Sequence, residues 1–466
     1  MQKKRFAFDK KNIFVLLALA WPAIAEQLMQ TAVNYVDAAM VGSLGAGATA
    51  AVAINSPPFW LVTGVFQGFG IGFSVQVAQA IGANDTEKTR KIVRQAVLAT
   101  LLFGVGLLLI SLTFVRKLPV WMGAEAAIVK DASDYIFALS LSLPFMAFQA
   151  VFATILRCMG DTRTPLFIGI LSNLINIVFN TLLIFQTRVV SFLGFTFTMP
   201  GAGLGVAGAA IATSISIVVA GSLLVMIIYR RRGPYRVYLK ESYRPDVPIL
   251  KRALRLGVPV ALDRVILSTG QMVMTRLVSS LGTLSLAANH VAVTAEAICY
   301  LPAQGVSFSA TALVGQRVGA NDLKEAKSFG MLSGVTGFIM MAVAALGLFL
   351  FAKPLSSIFS PDPEVVELAA DMLRIVAIAE PFLGLNIVMA GALRGANDTR
   401  WPFYISAMGM WGVRMAFAFT LVYAFDFGLS AVWIAMAIDL WFRGITTTLR
   451  FKRGKWLIPL QKTEAV

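Results

Sequence analysis

Gln79-Ala80-Ile81-Gly82-Ala83-Asn84-Asp85 returns 237 residues later as Gln316-Arg317-Val318-Gly319-Ala320-Asn321-Asp322. Leu156-Arg157 with Asp161-Thr162-Arg163 and Pro165 recurs as Leu393-Arg394 with Asp398-Thr399-Arg400 and Pro402. Pro22, Leu44, Gly45, Gln67, Gly68, Pro144 and Phe145 recur at the same offset as Pro259, Leu281, Gly282, Gln304, Gly305, Pro381 and Phe382. A register held without a gap from residue 22 to 165 describes two copies of one unit.

Of the 466 residues, 58% are hydrophobic and 14% charged, far from the balance of a soluble domain. Apolar stretches of about 20 residues, enough to cross roughly 30 Å of hydrocarbon, recur along the chain. They fall near 13–36, 50–78, 95–115, 132–155, 165–186 and 205–229, then near 254–278, 287–315, 329–352, 367–392, 402–424 and 428–449. The sequence thus predicts an all-α membrane protein of twelve transmembrane helices in two six-helix lobes. The lobes are 1–229 and 253–466, the latter with a cytoplasmic tail, joined by a linker over 230–252. With an even number of spans each copy enters and leaves on one side, so the pseudo-two-fold axis runs along the membrane normal. Such repeats point to a transporter with a binding cleft between the lobes, near the midplane.

Lys and Arg number 40, and 30 of them fall on one side of a twelve-span chain: in both tails and in 85–94, 157–163, 230–255, 317–327 and 394–400. The opposite side holds only Arg116, Lys117, Lys130, Arg188 and Lys353. This bias predicts a multi-pass protein of the plasma (inner) membrane with both termini cytoplasmic. The net charge of +16 is then a topology signal; scattered over loops, it presents no groove to nucleic acid. Cys158 and Cys299 lack metal-site spacing and are too few for a disulfide framework. The first span follows a basic tail but carries Glu26 and Asp37, so it reads as an uncleaved helix.

The repeated motifs read mostly as scaffold. Gly-Ala-Asn-Asp at 82–85 and 319–322 suggests helix stop, turn and start, with Gly supplying the turn and Asn or Asp the next cap. Arg157/Asp161/Arg163 and Arg394/Asp398/Arg400 read as ion-paired hairpins before Pro165 and Pro402. Small residues at Gly205-Val206-Ala207-Gly208 and Gly428-Leu429-Ser430-Ala431 permit close helix contact.

Polar residues present in one copy only need a different reason. Glu26, Gln30, Asn34 and Asp37, at i, i+4, i+8 and i+11, fall within about 80° of one another on a helix. Such a stripe is too costly to face lipid, so it faces protein or a watery cavity. Asn173, Asn176 and Asn180 share one face of the fifth span. Asp37 with these amide oxygens offers hard ligands for Na⁺, while a buried Asp37 could equally carry a proton. The second copy places Met274 opposite Asp37, and Met410, Val413 and Phe417 opposite the three asparagines. Interhelical hydrogen bonding is the plain alternative for the ladder.

In the second copy Arg264, Ser268, Gln271 and Thr275 form a stripe of their own, and Asp263 answers Glu26. Asp263, Arg264 and Glu296 either pair across spans seven and eight or line a pocket. Asp439 and Arg443, at i, i+4, read as a self-neutralising pair. Glu26, Gln27, Gln30, Asp263, Arg264, Gln271 and Glu296 are the candidates for lining a substrate cavity. Asp37, Asn34, Asn173, Asn176 and Asn180 are the candidates for coupling.

Pro22-Ala23-Ile24-Ala25-Glu26-Gln27, Val36-Asp37-Ala38-Ala39-Met40-Val41-Gly42 and Leu44-Gly45, with the two Gln…Gly-Ala-Asn sites and the two Arg…Asp-Thr-Arg turns, resemble the multidrug and toxic compound extrusion (MATE) family. The resemblance runs from about residue 13 to 450. It implies a V-shaped pair of lobes and Na⁺- or H⁺-driven export of drugs, often organic cations. It puts the first-lobe acidic site on Asp37 with Asn176 and Asn180 as partners, a set that could hold Na⁺. Some members carry Asp at the place of Asn180, and some an acid near the place of Leu267, so this chain departs from both patterns.

Together these readings predict a secondary active multidrug efflux transporter, exporting mostly cationic, amphipathic organic compounds by antiport with Na⁺ or H⁺ through alternating access. The coupling ion is the only cofactor expected, and the expected partners are small organic substrates and the lipid bilayer, with no obligate protein partner evident. A flippase for a lipid-linked saccharide would share the lobes but show a more cationic cavity. An ion channel would share the polar stripes. A membrane enzyme is disfavoured, since the sequence offers neither a His-rich metal cluster nor a nucleophile–base pair.

Overall fold

The computed structural model describes residues 10–454 and 456, apart from 193, 194, 232 and 239. The basic residues expected to anchor the tails at Lys3, Lys4, Arg5, Lys455 and Lys462 lie outside this set. Eight of the described helices are long and apolar enough to cross a membrane, among them Lys10–Gly42, Thr86–Phe114, Arg163–Leu183 and Gly428–Lys452. Three bent pairs raise the number to eleven if each is one span. Val247–Ser279 has 33 residues but carries Lys251, Arg252, Arg255, Asp263, Arg264 and Arg276, which lower its apolar character.

The bends have a chemical cause. Val129–Leu141 meets Leu143–Cys158 at 52°, Thr283–Glu296 meets Leu301–Gly319 at 47°, and Pro363–Ala377 meets Glu380–Gly395 at 54°. Pro144, Pro302 and Pro381 stand in the first turn of each second arm, where a proline can start a helix but not continue one. Pro144 and Pro381 are equivalent in the two copies.

The copies meet through glycines. A Cβ on Gly82 would collide with the carbonyl of Gln316, and one on Gly319 with the carbonyl of Gln79. Around these crossings Gln79 Nε2 donates to the Gly395 carbonyl at 3.1 Å, and Gln316 Nε2 to that of Cys158 at 2.8 Å. Further along, a Cβ on Gly68 would come 2.8 Å from the amide of Ala261, and one on Gly305 2.8 Å from that of Ile24. Every one of these contacts has its partner 237 residues away with the copies exchanged, as contacts across a two-fold axis require. Arg252 tightens the same end, donating to Gln79 Oε1 at 2.6 Å and to Asn397 Oδ1 at 3.4 Å.

Two scaffold expectations change. Gly82 and Gly319 serve close approach, while the left-handed turn falls to Asn84 (φ 55°) and Asn321 (φ 58°), residues that tolerate it. Asp85 and Asp322 then cap the next helices, accepting from Lys88 and Glu325 amides at 2.9 and 3.0 Å. Nor are the Arg…Asp-Thr-Arg hairpins ion-paired internally. Asp161 binds Arg231 at 3.4 Å and Asp398 binds Arg450 at 2.9 Å, leaving Arg157 and Arg394 free to reach elsewhere.

The linker docks on the first copy. Arg90 and Arg94 hold Glu241, and Lys91 reaches Asp246 at 2.5 Å; Val237 is buried in the first-copy core. Lys91, and then the Ile249 amide that Asp246 caps, hold the Asp246 carboxyl below its ordinary range. On the other side of the fold Gln186–Phe192 and Phe195–Ala202 form an antiparallel hairpin that the apolar pattern did not announce.

Cys158 is 1% exposed beneath the Gln316 contact. With Cys299→Ala making it the sole thiol, Gly319→Val should wedge the crossing open and speed maleimide labelling of Cys158 several-fold; unchanged labelling would mean the crossing does not seal this end.

Candidate functional site

A cavity of about 530 Å³ lies between the copies, of a size that suits a drug-like molecule. All seven residues expected to line it do so: Glu26, Gln27, Gln30, Asp263, Arg264, Gln271 and Glu296. Phe66, Met146, Phe308, Leu383 and Met436 add apolar wall.

Charge in this cavity is arranged differently from the expectation. Asp263, Arg264 and Glu296 do not pair with one another. Glu26 Oε1 instead accepts from Arg157 at 2.7 Å, with the guanidinium stacked 4.5 Å over the Phe308 ring. Asp263 faces Arg394 at 4.0 Å, so Glu26–Arg157 and Asp263–Arg394 are one pair written twice. Arg264 donates to Gln67 Oε1 at 3.2 Å. Asp439 pairs with Arg443 as expected, but Arg414 joins it at 2.9 Å, so the group keeps an excess positive charge. Five arginines line the cavity (157, 264, 394, 414 and 443) against three acids.

Glu380 escaped the sequence reading. It is fully buried at the bend that opens the Glu380–Gly395 arm, and there it meets Glu296, the last residue of Thr283–Glu296. Both carboxyl oxygens of Glu380 are buried with no hydrogen-bond partner. The signal was present, since residue 143 of the first copy is Leu.

Arg414 was also misplaced in the repeat. Met408–Arg414 is a π-helical turn inside Arg400–Tyr423, and a π-turn holds one residue more than an α-turn. Beyond it the burial pattern shifts by one: Arg414 and Ala418 point inward, as Asn176 and Asn180 do, while Phe417 is exposed. The second copy therefore sets a guanidinium, not Val413, against Asn176.

Asp37 stands apart from the cavity. Asn180 Nδ2 donates to Asp37 Oδ1 at 2.5 Å and to Asn176 Oδ1 at 3.1 Å, and Asn176 Nδ2 donates to Thr213 Oγ1 at 3.2 Å. Asn176 and Asn180 are buried, Asp37 is half-buried, and among the described residues it forms no salt bridge. Asn34 is exposed and Asn173 half-buried; neither joins this chain of hydrogen bonds. Met274, the counterpart of Asp37, is buried among apolar side chains.

The buried Oδ1 of Asn180 has no hydrogen-bond partner. An orphaned carbonyl oxygen beside a carboxylate fits a small hard cation. It also fits a protonated Asp37, which would need an acceptor. Among the described residues no group of three or more His, Cys, Asp or Glu could hold a metal ion.

The chain matches the MatE family model twice, over residues 22–182 and 259–420. The matches start 237 residues apart and end 238 apart. It is 30% identical over 443 residues to the probable multidrug resistance protein NorM of Thermotoga maritima, covering 95% of this chain and 92% of that one. It is 27% identical over 449 residues to the multidrug resistance protein MdtK of Yersinia pseudotuberculosis, covering 95% of each. A crystal structure of MATE in complex with MaL6 superposes with a TM-score of 0.87 at 22% identity, covering 94% of this chain and 95% of that one.

Glu26→Ala should cost about 3 kcal/mol, because it strands a largely buried guanidinium. Glu26→Ala with Arg157→Met should recover most of it; thermal unfolding in detergent that ranks the double variant below the single one would contradict this.

Proposed function

The chain belongs to the MatE family, and we propose that it is a secondary active multidrug exporter working by antiport with Na⁺ or H⁺. Counting Val247–Ser279 as a span gives twelve helices, in lobes 1–229 and 253–466 related by a pseudo-two-fold axis along the membrane normal. The end sealed by Gln79, Gln316 and Arg252 is flanked by the basic loops, so it faces the cytoplasm together with both termini. The cavity then opens outward, and this is the state that releases substrate.

One observation carries the reading: Asp37 accepts from the Asn180 amide, which also donates to Asn176, and among the described residues it has no cationic partner. Its helix, Lys10–Gly42, also carries Glu26, Gln27 and Gln30 into the cavity. Ion binding at Asp37 and substrate binding in the cavity thus act on one rigid element. Antiport follows if they favour opposite openings of it, since a ligand with equal affinity for both states shifts neither. Asp37 with Asn176 and Asn180 holds the ion; Asn34 and Asn173 line its approach.

The cationic cavity gives the lipid-linked saccharide flippase a specific observation in its favour. Its phosphates would meet the arginines, although Glu26, Asp263 and Asp439 already occupy most of them.

Inverted vesicles energised separately by a sodium gradient and by a pH gradient test the proposal. Wild type should accumulate a cationic dye under one of them, and Asp37→Asn should reduce accumulation to the unenergised level while still inserting in the membrane. Undiminished export by that variant would remove Asp37 from the mechanism.

A further inference from the structure

Among the described residues, Arg264 is the cavity arginine that forms no salt bridge with an acid. Arg157 has Glu26, Arg394 has Asp263, and Arg414 and Arg443 share Asp439. Arg264 is exposed and is held only by the neutral Gln67. Its place is built across the copies: Gly64 leaves room for its stem, since a Cβ there would lie 3.0 Å from Arg264 Cβ. With the copies exchanged, the equivalent positions are Gln27 and Gln304, a neutral pair facing the same cavity. The guanidinium is thus an addition to the repeat rather than part of its scaffold.

Its surroundings sharpen the asymmetry. Arg394 lines the same cavity, and its acid, Asp263, does not pair with Arg264. That acid pairs at a long 4.0 Å, against 2.7 Å for Glu26–Arg157, while in both copies the second carboxylate oxygen and the guanidinium Nε are left without a partner. Two guanidinium groups with one loosely held carboxylate make a place for a second anion. A planar guanidinium matches a carboxylate or a phosphate in two-point geometry.

We propose that Arg264 binds an anionic group of the transported molecule, so that this cavity takes amphiphilic compounds bearing a carboxylate or phosphate, zwitterions included. This rests on the exporter reading for the molecule's passage, but not for its binding. The anionic group belongs either to a free organic compound or to a lipid headgroup.

A rhodamine with a free carboxylate and its methyl ester differ by the one group in question. Their binding to the purified full-length chain, followed by fluorescence anisotropy, gives an acid-to-ester affinity ratio. Arg264→Gln should lower that ratio about tenfold, the scale of one lost charge-assisted contact, and Arg264→Lys should restore part of it. A ratio unchanged in both variants overturns the proposal. Movement of a fluorescent phosphatidylglycerol in proteoliposomes separates the sources. Loss of that movement in Arg264→Gln assigns the anion to a lipid; movement indifferent to the variant, with the dye ratio lowered, assigns it to a free compound. If wild type binds the acid through Arg264 yet exports neither dye under either gradient, the exporter reading fails and this one stands. Export of the ester with no preference for the acid has the opposite meaning.

Discussion

Two helices can touch backbone to backbone only where at least one of them presents no side chain, and four such places join the copies of this structure. Gly82 and Gly319 admit a carbonyl of the other copy; Gly68 and Gly305 admit an amide. Close crossings let Gln79 and Gln316 span from one copy to the carbonyls of the other. In hydrocarbon, where apolar burial gives little drive for helices to associate, packing and such hydrogen bonds supply it. The wall of the cavity, the seal at one end and the placement of Arg252 all follow from helices held at that distance.

Around this duplicated frame the ionisable groups divide by whether they repeat. Glu26–Arg157 and Asp263–Arg394 repeat, and each removes two charges from the ledger of the cavity. Asp37, Glu296, Glu380, Arg264 and Arg414 have no like-charged counterpart in the other copy. Separation matters too. Asp37 lies outside the cavity but on a helix that lines it, so under the proposed antiport ion and substrate need not touch to influence one another.

Much of this was legible in the chain. The fixed offset gave the copies, 3.6-residue spacing put Glu26, Gln30 and Asp37 on one helix face and Asn176 and Asn180 on another, and the family resemblance set those asparagines beside Asp37. Spacing says nothing, however, about partners on distant helices. Thus Arg157 was assigned to Asp161, when its acid is 131 residues away. Asn34 and Asn173 share a face with functional neighbours but lie where that face has turned from the contact. Glu380 would have emerged had the one-copy criterion been applied along the whole chain. Arg414 could not, because comparison at constant offset breaks at an inserted residue.

That insertion shows how duplicated membrane helices part company. An extra codon inside a strict α-helix would swing everything after it by about 100°, turning an apolar flank inward and exposing the packed one. Absorbed in a single widened turn, it leaves the helix ends docked as before while one guanidinium replaces one amide on the inner side. Divergence of the twins at this point needed neither a new loop nor a new fold, only tolerance of a local defect in winding.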